Sequence, residues 1–292
     1  MPYLRPIALC CLLVLLCLAL PAAAAQPLTV GVSIPPQVWL LERLGGPELR
    51  VVVMVPPGRS PHTYEPTPKQ LAALSQARLY LSIGMPFEAV FLPRLQAKLP
   101  GLQIVSLIAG LKLRRLESHR HAGQADDHAT GAPDPHVWLS PRRTQTLAAN
   151  AAAALMAADP ARAALYRANL ARLDAELQSL DAELARTLAP LKGRTIFVYH
   201  PAYGYLTDDY GLKQEAVELE GKEPGPRRLA TLIAEAKAEG VRVIFVQPQF
   251  PSATAASLAR AIGGVVVPLD PLAADYLSNL RAVAAKIAGA LR

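Results

Sequence analysis

Three histidines and one aspartate stand where side chains could converge on a ligand. His62 lies in Pro56-Pro57-Gly58-Arg59-Ser60-Pro61-His62-Thr63-Tyr64-Glu65-Pro66, a turn that directly follows an apolar run. His200 ends the run Thr195-Ile196-Phe197-Val198-Tyr199, and Asp270 ends Val265-Val266-Val267-Pro268-Leu269. Open parallel sheets collect ligands beyond the carboxyl ends of their strands, where loops converge and helix N-termini face them. His136, in Asp134-Pro135-His136-Val137-Trp138-Leu139, precedes a helix that starts at Pro141. Imidazole and carboxylate are metal ligands, but singly each residue has another reading. A histidine in a Pro-rich turn can be merely solvated, and Asp270 before Pro271 can cap a turn. The long gaps between the four match no compact metal motif.

The elements that would carry these residues alternate strand with helix, the pattern of βα units around parallel sheets. Strands are expected over 28–34, 49–55, 79–83 and 103–107, with helices over 37–44, 68–76 and 87–98. The second half repeats the arrangement, with strands over 195–199, 213–219, 241–246 and 265–269 and helices over 226–239, 252–262 and 275–291. Two α/β lobes follow, each with a mainly parallel four-stranded sheet flanked by helices. Between them, Asp159 can cap a helix whose first position is Pro160, where the missing N–H costs nothing. Leu170, Leu173, Leu177, Leu180, Leu184 and Leu188 then form one apolar stripe, ended by Pro190 and Gly193. Such a helix would run about 43 Å, the length of both lobes. The stripe is shorter than three heptads, so packing on its own lobes is expected over a coiled-coil dimer, and the chain is expected to be a monomer. The division expected is an N-terminal lobe over 26–141, a connecting helical segment over 142–190 and a C-terminal lobe over 191–292. Within the first lobe, 117–133 holds His119, His121 and His128 with two aspartates and no large apolar residue, and reads as a mobile surface loop.

Composition narrows the function classes. The chain of 292 residues is 52% apolar and 18% charged, too apolar for disorder. Its net charge of +7 is not gathered into a Lys/Arg run with interleaved aromatics, which argues against nucleic acid. Arg5, the uncharged run 7–20 and Ala23-Ala24-Ala25 have the form of a signal peptide cleaved after residue 25. The run is short for a bilayer span of about 20 residues, and Leu16 stands where a lipid-anchor motif at Cys17 wants a small residue. The protein is therefore expected to be secreted into the periplasm. All three cysteines (Cys10, Cys11, Cys17) precede the cleavage point, so the mature chain has no disulfide, thiolate nucleophile or Cys-based metal site.

Taken as phrases, the four sites are much more specific. Gly58-x-x-Pro61-His62-x-Tyr64-Glu65-Pro66-x-Pro68 resembles the first ligand motif of the cluster 9 family, the zinc and manganese solute-binding receptors of ABC importers. Asp134-Pro135-His136-Val137-Trp138-Leu139 resembles its second motif. His200-Pro201-Ala202-Tyr203-Gly204-Tyr205 is similar to its third, and Leu269-Asp270-Pro271-Leu272 to its fourth. Phe245-Val246-Gln247-Pro248-Gln249-Phe250 and Gly221-x-Glu223-Pro224 also have the family's look, so the resemblance spans the mature chain in order. It implies two lobes joined by a rigid connecting helix, with one metal in the cleft held by His62, His136, His200 and Asp270. The metal would be cargo, delivered to a membrane permease and its ATPase. Manganese members carry a carboxylate at the position of His200, so the imidazole there tilts the ligand set toward Zn(II) and away from Mn(II). Some zinc members place a carboxylate just before the first histidine. Here that residue is Pro61, which leaves Asp270 or a water to complete the shell. The 117–133 segment resembles the His-rich loop of zinc receptors in sparse form. The alternatives are a manganese receptor or adhesin on the same scaffold, and a secreted zinc hydrolase. The hydrolase lacks support, because the chain has neither H-E-x-x-H nor a G-x-S-x-G turn.

Overall fold

A computed structural model describes residues 26–116, 132–218, 224–250 and 253–291. The expected leader (1–25), the His119, His121 and His128 segment, and Gly221 and Glu223 lie outside the described residues. In the first lobe β1 (Leu28–Val32), α1 (Pro35–Gly45), β2 (Leu49–Val53), α2 (Pro68–Leu74), β3 (Leu79–Ser82), α3 (Glu88–Lys98) and β4 (Gln103–Ser106) follow in turn. The connecting helices are α4 (Pro141–Ala158) and α5 (Ala163–Leu188). In the second lobe come β5 (Thr195–Val198), α6 (Gly204–Tyr210), β6 (Lys213–Ala216), α7 (Pro226–Ala238), β7 (Val243–Val246), α8 (Ala253–Ala261), β8 (Val265–Pro268) and α9 (Tyr276–Leu291).

Each sheet has four strands, all parallel, in the orders β2-β1-β3-β4 and β6-β5-β7-β8. All eight expected strands are present. The order reverses between β1 and β3 and between β5 and β7, so each lobe has a crevice at its carboxyl edge. The central strands β3 and β7 read LYLS and VIFV, and both bury against helices on two faces, as short apolar runs in parallel sheets do.

The connecting helix is α5, 26 residues and about 39 Å long. Its start differs from the expected one by a turn: Pro160–Arg162 forms a 3-10 turn, and regular helix begins at Ala163. Asp159 stands at the N-cap of this turn but makes no side-chain cap bond; its carboxylate takes Arg162 and the Tyr166 hydroxyl instead, both at 2.8 Å. Leu173, Leu177, Leu180, Leu184 and Leu188 are buried, while Leu170 lies at the margin of the core. The stripe is covered within the chain, by α1 of the first lobe, by the connecting helix α4 and by α9 of the second lobe. Arg43–Glu176 and Arg281–Glu183 ion pairs add an exposed tie to each lobe. Such pairs are worth about 0–1 kcal/mol each, so the leucines carry the joint.

One helix was not legible beforehand. Helix α6 is seven residues, GYLTDDY, with few strong helix formers. It is held by tertiary contacts: Tyr205, Leu206 and Tyr210 are buried, and Gly211 ends it with a left-handed φ of 75°. No helix among the described residues is long and apolar enough to cross a membrane.

Candidate metal centre

The turn carrying His62 is fixed from both ends. Gly58 turns the chain with φ of 77°, and the Ser60 hydroxyl accepts from the His62 N–H at 3.3 Å. Downstream, Thr67 caps α2 by accepting from the Gln70 N–H, and the Tyr64 hydroxyl donates to Gln70 Oε1 at 2.7 Å. His136 is held by the acid two residues before it. Asp134 Oδ1 accepts from the His136 backbone N–H at 3.0 Å and lies 2.7 Å from its Nδ1. His200 is gripped at its backbone by the Gln247 side chain, which accepts from its N–H at 3.0 Å and donates to its carbonyl at 3.1 Å.

These supports bring three rings from separate loops into one cluster. His62 Nε2 stands 3.2 Å from His136 Nε2 and 3.0 Å from His200 Nε2; His136 and His200 are 3.2 Å apart. Among the described residues these are the histidines whose ligand atoms all lie within 4.8 Å of one another. Tetrahedral Zn²⁺, with Zn–N of about 2.0–2.1 Å, places its ligand nitrogens about 3.3–3.4 Å apart, so the triangle is close to one face of that tetrahedron.

The tautomers explain why such a cluster wants a cation. Asp134 sits at His136 Nδ1, and the Glu218 carboxylate sits 3.2 Å from His200 Nδ1. A neutral ring that donates from Nδ1 presents a lone pair at Nε2. Two such lone pairs converge with the Nε2 of His62, an arrangement that repels itself unless something positive lies between. Burial, then the neighbouring His136 and His200 rings, push the His62 pKa down to about 2. Burial also lowers His200, although Glu218 opposes it. A proton is thus poorly accepted. Burial by itself would raise the Asp134 carboxyl, but His136 and Arg114 hold it below the ordinary carboxylate range.

Walls complete the site. Phe250 stacks on His200 with ring centroids 4.6 Å apart and 21° between planes, and Pro61, Trp138 and Leu272 line the same small cleft. Asp270, the fourth sequence candidate, is not part of the histidine group. Its Oδ1 accepts from Gln249 Nε2 at 2.7 Å and from the Leu272 N–H at 2.9 Å, so it stands one side chain behind the cleft wall.

Asp134 and Glu218 were not assigned from the sequence as partners of the histidine rings. A signal existed for each. Asp134 stands two residues before a histidine, in Asp134-Pro135-His136. Glu218 follows from register: Val198 pairs with Ala216, and the ladder continues with the Glu218 N–H donating to Tyr199 O at 2.9 Å, which sets Glu218 beside His200.

A two-lobed α/β binding protein with a histidine cluster between its lobes is what fold and site together define. The family profile described as zinc-uptake complex component A, periplasmic (ZnuA), matches residues 30–290, and the chain belongs to that family. A crystal structure of ZnuA superposes with a TM-score of 0.85 and 41% identity, covering 91% of this chain and 100% of that one. A Treponema pallidum protein that carries a metal-binding description is 31% identical over 233 residues, 78% of this chain and 74% of that one. The zinc-binding protein AdcA of Streptococcus pyogenes is 28% identical over 240 residues, 76% of this chain and 46% of AdcA.

Proposed function

We propose that this chain captures Zn²⁺ outside the inner membrane and delivers it to an ABC permease for uptake. It is a binding protein and not an enzyme, as its family is. The observation that carries the reading is the triangle of Nε2 atoms at 3.0–3.2 Å, backed by a carboxylate on Nδ1 of two of the three rings. Neutral imidazole suits Zn²⁺ better than Mn²⁺, whose preferred donors are carboxylate and carbonyl oxygen. His62, His136 and His200 are the proposed ligands. The fourth position falls to a water or to the Oδ2 of Asp270, whose Oδ1 already accepts from Gln249 and the Leu272 N–H.

The finer parts of the reading rest on the sequence. Residues 1–25 act as a cleaved signal peptide, the mature protein works as a monomer in the periplasm, and the partner is a permease with its own ATPase. The test is metal competition. Purified protein from Gln26 onward, stripped and dialysed against equal Zn²⁺ and Mn²⁺, should retain about one zinc per chain, and His200→Ala should lose it. Manganese retained in preference would move the chain to a manganese receptor. No retained metal would remove the function.

A further inference from the structure

Arg114 lies in the loop between β4 and α4, outside the histidine cluster, yet it touches both lobes. Its Nη1 donates to Asp134 Oδ2 at 3.2 Å, while its Nε donates to Asp208 Oδ2 at 3.1 Å. Asp134 is buried and presents its other oxygen to His136. Asp208 belongs to α6, which begins four residues after His200 and lies in the second lobe. The backbone follows the same route: the Arg114 N–H donates to the Tyr205 hydroxyl at 3.1 Å, and that hydroxyl donates to the Asp134 carbonyl at 2.8 Å. Gly204 makes room for the guanidinium, because a Cβ there would fall 1.5 Å from Arg114 Nη1.

We infer that Arg114 is a positioning residue that ties the aim of His136 to the placement of the second lobe. The inference rests on the zinc reading above. The fork of a guanidinium can hold two carboxylates in fixed directions at once, which a lysine cannot. With Asp208 on one arm, Asp134 is drawn to the orientation in which Oδ1 meets His136 Nδ1. When α6 moves with its lobe, the guanidinium moves and the ring of His136 loses its brace. Metal held between the lobes then senses their separation through His136 as well as through His200. Release of the metal on lobe opening is accelerated by the same linkage.

Three variants test this by chelator competition for Zn²⁺, stopped-flow release and thermal melting of the metal-free protein. Partners behind metal-bound histidines are worth about 10- to 100-fold in affinity, and Arg114→Met should fall in that range. Gly204→Ala removes no charge and favours helix, but displaces the guanidinium; it should weaken zinc binding several-fold and speed release. Asp208→Asn removes only the charge from the interlobe side-chain arm and should do the same more mildly. In the Arg114→Met background, Asp208→Asn should add less than about twofold, as expected for residues that act as a unit. Cobalt-loaded Arg114→Met should retain a tetrahedral spectrum with shifted bands. The inference is overturned if Gly204→Ala and Asp208→Asn bind like wild type. Affinity losses that merely track a lowered metal-free melting temperature would overturn it equally, as would fully additive losses. Wild-type protein that holds no zinc would instead overturn the reading of the site itself, which separates the two failures.

Discussion

At the scale of residues, the site is three imidazoles, of which His62 and His200 resist protonation before any metal arrives. Free histidines with pKa near 6.5 are charged at lower pH, so the sequence by itself implies affinity falling through that value. The cluster moves the onset down. Three freely titrating rings would lose about sixfold in affinity between pH 7.5 and 6.5 by proton competition. With His62 held at about 2 and His200 also lowered, the change over that interval should be under about twofold in a chelator titration. A sixfold loss would show rings that titrate as if solvated. The same shifts bear on stability without metal. A histidine with a depressed pKa binds fewer protons folded than unfolded, so stability is full above pH 6.5 and declines as pH falls toward the folded value. The slope reaches about 1.4 kcal/mol per pH unit for each such ring. Which residues could ligate a metal was legible from type and phrase, since histidines after strands are conspicuous in a chain with no cysteine beyond Cys17. Their partners were not, because Glu218 meets His200 only through a strand register, which spacing does not encode. Asp270 was legible as a metal-capable residue, but its commitment to Gln249 depends on two loops packing together.

At the scale of elements, the eight strands and the long helix were readable because their signals are strong and local. Runs such as Val243–Val246 have one plausible use in a βα chain, and a leucine stripe of period 3.6 has one face. Helix α6 was not readable, because its seven residues are held by burial of Tyr205 and Tyr210 and by the Gly211 turn instead of by propensity. The element that matters most for geometry is α5, since its leucines pack on both lobes at once. Leu177 is fully buried in that seam. Leu177→Ala should cost about 2–5 kcal/mol in urea unfolding through lost contacts and the cavity left behind. A loss below 1 kcal/mol would mean that α5 is not the shared core of the two lobes.

At the scale of the whole molecule, two lobes meet over a helix that limits how far they can part. Contacts beyond α5 reinforce this. Trp39 of the first lobe stacks on Tyr276 of the second with centroids 4.7 Å apart, and Trp138 Nε1 donates to the Pro271 carbonyl at 2.7 Å. Small movements that change the metal's surroundings are therefore expected, and not a wide hinge closure. Binding across the cleft stabilises the arrangement in which His62 and His136 from one side reach His200 from the other. The measurement that tests the central claim most directly is diffraction from zinc-loaded crystals at the zinc absorption edge. One anomalous peak per chain is expected, about 2.0–2.1 Å from Nε2 of His62, His136 and His200. A peak elsewhere, or one that leaves any of the three rings unbound, would contradict it.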